Sequence, residues 1–197
     1  MRRLKAKYGR PVAAKDVSEA DKREFTYVLV EEYFRRTRDT LKAYDPDLLY
    51  LGCRFMYTTT PQIAVIAAKY CDVMSYNVYV RDPISFRNPC GIDRPIIVGE
   101  YHFGAVDRGL LSGGARYADS QKHRGESLVR YLKGALANPL IVGVHWHQFS
   151  DEPVSGRFDG ENLQMGMTDI CDTPYAETIE AVRSVTYRLY DLRSKGK

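Results

Sequence analysis

Apolar positions along this chain recur with two different periods, and the alternation between them outlines the fold. Phe25, Val28, Leu29, Tyr33 and Leu41 fall near helical spacing with charged residues between them, which predicts an amphipathic helix over 18–44. Ser18 stands at its N-cap with Asp21 in the capping-box position, and Asp45-Pro46 ends it. Shorter apolar runs over 48–55, 73–79, 95–100 and 140–146 read as strands. Helices are expected at 61–69, opened by Pro61, at 121–137 behind Ser120 with Leu128, Leu132 and Leu136 on one stripe, and at about 174–193. A glycine-rich loop runs to Gly114, and a long polar loop fills 149–173.

Buried strands alternating with helices predict a parallel α/β sheet. The strand ends carry the chemistry: Arg54, then Tyr76-Asn77, then Glu100-Tyr101-His102, then His145-Trp146-His147-Gln148. Polar residues gathered at the C-terminal edge of parallel strands suit a (β/α)8 barrel, whose sites lie there. A doubly wound sheet uses the same edge, but no glycine-rich phosphate loop follows any of these strands. The expected fold is therefore a partial barrel over 18–194 behind an irregular basic tail, 1–17.

The focal stretch is Pro95-Ile-Ile-Val-Gly-Glu-Tyr-His-Phe-Gly104. A carboxylate where a buried strand ends is costly to desolvate unless it is paired or has a task. By itself Glu100 could be a salt-bridged strand end. With an Arg, a Tyr-Asn pair and a Trp at the neighbouring ends it fits a sugar site: the carboxylate meets the anomeric carbon, Tyr or Arg orients it, and an indole stacks on the ring.

Composition narrows the partners. Net charge is +4, yet residues 1–15 hold six basic side chains and no acidic ones, and removing those six from 29 leaves 23 basic against 25 acidic. The basic character lies in the tail, which argues against a nucleic-acid surface. The first residues lack the apolar stretch of a secretory signal, no run reaches membrane-spanning length, and location is undetermined. Cys53, Cys71, Cys90 and Cys171 lack metal or redox spacing and read as free thiols in or near the core.

Gly-Glu-Tyr-His-Phe-Gly-Ala at 99–105, Asp107-Arg108-Gly109, Val142-Gly-Val-His-Trp-His-Gln148 and Gly156-Arg-Phe-Asp-Gly-Glu-Asn162 resemble glycoside hydrolase family 50, the β-agarases. The resemblance covers roughly 20–190. It implies the C-terminal half of a retaining (β/α)8 glycosidase barrel, about strands five to eight, acting without a cofactor on β-galactosidic links of an agarose-type galactan. It further implies Glu100 as nucleophile, Tyr76 against it and Trp146 as a stacking platform, with Arg54, Asn77, His102, His145, Gln148 and Glu161 lining the substrate cleft. Family members of this kind are secreted or periplasmic.

The same mapping exposes a gap. The family's acid/base Glu follows an Asn, and this sequence has no Asn-Glu dipeptide. Glu161 is the substitute candidate, although its loop reads better as part of the binding cleft. A half barrel leaves open strand edges, which invite self-association or pairing with a separate N-terminal half; a non-catalytic carbohydrate-binding protein is the alternative function. His102, His145 and His147 could form a zinc site but read better as hydroxyl-binding residues. Asp151, Glu152, Asp159 and Glu161 could hold calcium but read better as a solvated acidic loop.

Overall fold

The computed structural model describes residues 6–9, 11–56 and 59–195. Four parallel strands, β1 (Arg54–Met56), β2 (Met74–Asn77), β3 (Ile96–Tyr101) and β4 (Ile141–Trp146), pair in chain order. Around them lie α1 (Glu19–Tyr44), α2 (Pro61–Ala68), α3 (Gln121–Ala137), α4 (Ala176–Thr186) and α5 (Leu189–Lys195). This is a mixed α/β arrangement around a parallel sheet, as a partial barrel has. No helix among the described residues is long and apolar enough to cross a membrane.

Local chemistry explains most boundaries. The Ser18 hydroxyl accepts from the Asp21 N–H, and the Asp21 carboxylate accepts from the Ser18 N–H, closing the expected capping box. Asp21 also receives Lys7 and Tyr8, so part of the basic tail is clipped onto the first turn of α1. Ser120 caps α3 through the His123 N–H. The C-terminal helix is two helices. A tightened turn at Tyr187–Arg188, with Arg188 N–H bonded to Val185 O, separates them.

The first strand is much shorter than the apolar run at 48–55 suggests. Gly52 adopts φ +65° and breaks the extended path, while Tyr50 and Asp72 bond to each other outside the ladder. Arg54 therefore opens β1 instead of closing it. The segment joining this strand to α2 falls partly on 57–58, outside the described residues.

Alternation divides the sheet into two faces. Phe55, Met74, Tyr76, Ile96, Val98 and Tyr101 are buried together with Phe34, Leu128 and Tyr131 from the helices. Tyr101 stacks on Tyr131 at 4.0 Å and 6° between planes. The opposite face carries Arg54, Ser75, Asn77, Ile97 and Gly143. Phe34 is the one apolar side chain of α1 that is fully buried, and it packs against Tyr50 and Phe55. The thiols divide: Cys71 is buried and Cys53 half-buried, whereas Cys90 and Cys171 are exposed.

Because Phe34 is the fully buried apolar side chain of this 26-residue helix, Phe34→Ala should cost about 3–5 kcal/mol, the usual range for emptying a buried aromatic site. Urea denaturation followed by circular dichroism measures this; a loss below 1 kcal/mol would mean that α1 is held elsewhere.

Candidate active site

Glu100 owes its direction to a bulge in β3. Against β2 the register steps from Tyr76 opposite Val98 to Asn77 opposite Glu100, and against β4 from Val144 opposite Val98 to Trp146 opposite Tyr101. Both neighbours thus record one extra residue in β3 next to Gly99. Strict alternation would put Glu100 on the side of Val98, towards the helices. The extra residue returns Tyr101 to that side and leaves Glu100 on the open face beside Asn77.

Gly99 does a second thing. Arg54 reaches across β2, over Ser75 and Gly99, and donates to the Gly99 carbonyl at 3.2 Å and to Glu100 Oε2 at 2.8 Å. A Cβ on residue 99 would lie 2.5 Å from Arg54 Cδ and 2.7 Å from Ser75 Oγ, so only glycine leaves the guanidinium its path. On the other side the Tyr79 hydroxyl donates to Glu100 Oε1. Burial, followed by this bond to Glu100, holds the Tyr79 phenol well above its usual pKa, so it remains a donor. The Glu100 side chain is 13% exposed. It is a carboxylate with one charged and one neutral partner and a narrow opening.

The sites expected from sequence divide accordingly. Arg54, Asn77, Glu100 and His102 come together on the open face. Tyr76 does not: it is buried in the helix-side core against Phe55 and Phe86. The tyrosine on Glu100 is Tyr79, three residues later, beyond the end of β2. Trp146 is also on the helix side. Its indole N–H donates to the Met165 carbonyl at 2.9 Å, and its ring meets Tyr101 edge-on beneath Arg124. It is no free platform. His145 is exposed on the open face, and Gln148 donates to Ser150 O.

The acidic loop also differs from expectation. Asp151 and Glu152 are buried, Asp151 accepting from Gly166 N–H and Tyr175 OH, and Glu152 from Leu163 N–H. Glu161 is half-exposed and paired at 2.5 Å with Arg157, which also meets Asp159 and Glu152. Its charge contributes to raising Tyr79, after burial and Glu100. Among the described residues, no group of three or more His, Cys, Asp or Glu side chains is placed to hold a metal.

Arg124 gave no sign in the sequence, where it reads as an ordinary charged helix residue. It is fully buried and donates to the carbonyls of Phe103 and Met165 at 2.8 and 2.7 Å and to that of Gly166. Burial pushes its guanidinium down to about 10, which leaves it charged at neutral pH. One side chain thereby ties the exit of β3 to the loop that follows β4. His102 lies at that exit. Its Nε2 accepts from the Ala115 N–H at 2.9 Å, its ring meets Tyr79 edge-on, and His147 lies parallel at 6.1 Å. Gly114, at φ +72°, permits this packing, since a Cβ there would be 2.3 Å from His102 Nε2.

No family model matches the chain. β-Agarase B of Vibrio sp. (strain JT0107) is 42% identical over 180 residues, which are 89% of this chain and 19% of that protein. The solved structure of an exo-β-agarase superposes on the whole chain with a TM-score of 0.85 and 34% identity. The chain matches a segment of the family 50 β-agarases. The agarase AgWH50C agrees at a TM-score of 0.81 and 37% identity over 93% of this chain. The chain spans about a fifth of the curated β-agarase and 29–30% of these two solved agarase chains.

Burial, then the neighbouring His147, lowers the His102 pKa from 6.5 to about 4. The folded state thus binds fewer protons than the unfolded state between those values. Its contribution is complete above about pH 6.5 and is lost as pH falls to about 4, a difference of about 3 kcal/mol. Unfolding free energies measured across this window should fall with acid in the native protein. They should fall less in His102→Gln; equal slopes would contradict a neutral His102.

Proposed function

We propose that this chain carries the nucleophile side of a retaining β-glycosidase site acting on β-galactosidic linkages of an agarose-type galactan. In this reading the four strands are strands five to eight of a (β/α)8 barrel, and Glu100 is the nucleophile. The observation that carries it is the clamping of Glu100 between Arg54 and Tyr79, on the open face at a strand end. The β-agarase likeness supplies the substrate class.

The chemistry follows from the geometry. Arg54 pairs with the carboxylate and Tyr79 fixes its orientation, so that one oxygen can attack the anomeric carbon as the glycosidic C–O bond breaks. Water then cleaves the glycosyl ester and restores the carboxylate. A sugar leaving group also needs a proton. In retaining enzymes this comes from a second carboxyl about 5–5.5 Å away. The partners of Glu100 among the described residues are Arg54 and Tyr79, and neither is a carboxylic acid. Glu161, held by Arg157, is not joined to them. In this reading the acid/base is not among these partners, and the chain alone is weakly active or inactive on galactan.

The second reading, a galactan-binding or half-barrel interaction protein, is favoured by the two sheet edges. A groove of about 580 Å³ beside β4 is lined by Leu136, Val142, Val144, Val182, Leu189 and Tyr190. Beyond β1, Phe25, Leu29 and Tyr33 are exposed along α1. Both surfaces suit a second copy or a separately made N-terminal half.

A leaving group that needs no proton separates the readings. 2,4-Dinitrophenyl β-D-galactoside should be cleaved by the chain while agarose oligosaccharides are not, and Glu100→Gln should lose at least about a thousandfold of that cleavage. Cleavage unchanged in Glu100→Gln would overturn the assignment. Galactan binding without cleavage of the activated substrate would establish the second reading.

A further inference from the structure

The helix-side layer of the sheet stops short at both ends. In the middle of it Met74, Tyr76, Ile96 and Val98 are at most 2% exposed. At one end Val142 of β4 is 59% exposed on the apolar groove that β4 forms with α3, α4 and α5. At the other end Phe25, Leu29 and Tyr33 recur at every fourth residue of α1, and each is more than half exposed. Among the described residues nothing pairs with the outer side of β1 or of β4, so both edges present free N–H and C=O groups. Contiguous apolar surface of this kind marks an interface.

The two ends complement each other. All four strands are parallel, so the β1 edge of one copy can extend the β4 ladder of another without a change of direction. The α1 stripe belongs to the same side of the sheet as the groove, because Phe34 of that helix packs on Phe55. Pairing β1 with a second copy's β4 therefore brings the stripe to the groove. A twofold axis repeats this contact, and two copies supply eight strands, the number at which a parallel sheet closes around a filled interior. Joining β4 to β4 instead would be antiparallel and would leave both β1 edges open.

We propose that the occupant is a second copy of this chain, in a head-to-tail pair where α1 of each copy seats in the β4 groove of the other. This rests on the half-barrel reading above and commits its open edges to one partner.

Sedimentation equilibrium of the purified chain should give the mass of two chains, each 22.5 kDa. Val142→Lys puts a charge in the groove and Leu29→Glu puts one on the stripe. Both positions are 59% exposed, so the circular dichroism of each variant should match the parent. Each variant alone should associate at least about a hundredfold more weakly. Mixed, the two should form a heterodimer, because one of its contacts is native and the other sets Lys against Glu. A monomeric parent, a dimer indifferent to Leu29→Glu, or variants that stay monomeric when mixed would each overturn the pairing. So would a monomer captured only by a separately made N-terminal barrel half of a β-agarase. Mass and Glu100 reactivity are read independently. A dimer whose dinitrophenyl galactoside cleavage ignores Glu100→Gln keeps this inference and loses the nucleophile; a monomer whose cleavage needs Glu100 does the reverse.

Discussion

The site depends on the passage of Arg54 over Gly99. Without the bulge in β3, Glu100 would face the helices; without a glycine there, the guanidinium could not cross two strands to reach it. The cost of holding a carboxylate at 13% exposure is offset by one charge-assisted hydrogen bond from Arg54 and one from Tyr79. Gly99 gives up packing and some strand stability for this. That exchange is understandable for a functional carboxylate and hard to explain for a strand end that merely needs a counter-ion.

A second buried cation sets the loops around that centre. Arg124 spans the carbonyls at Phe103 and at Met165–Gly166 from within α3, beneath Trp146 and Tyr175. These bonds keep His102 and the β4 loop in a fixed relation. Asp151 and Tyr175 complete the layer, which explains why an acidic loop segment is buried. Precision in the site comes from this layer, since a misplacement of about 1 Å can be costly in catalysis.

Much of this was legible in the residues. Helix starts at Ser18 and Ser120, the parallel alternation and the focal carboxylate follow from local chemistry and periodicity. The structure departs from the sequence pattern where a single residue changes the parity of a strand. Tyr76 and Tyr79 sit at the same apparent strand end, and only the positions of Asn77 and Glu100 in the ladder decide which ring faces the carboxylate. Trp146 looked like a platform because aromatic residues at strand ends do so in sugar sites. The β3 bulge turns Tyr101 towards the helices, and the half-buried indole follows it to that side and packs against the core. Arg124 was invisible for another reason: its partners are backbone carbonyls far apart in sequence, which no side-chain pattern records.

The central claim is that Glu100 forms the covalent bond to sugar. Incubation with a 2-deoxy-2-fluoro-galactosyl fluoride, whose leaving group needs no acid and whose fluorine slows hydrolysis of the ester, followed by peptide mass mapping, tests it most directly. The account predicts one fluorogalactosyl group, on the peptide carrying Glu100, and none on Glu100→Gln. A label on Glu161 or any other carboxylate, or unchanged labelling of Glu100→Gln, would contradict it.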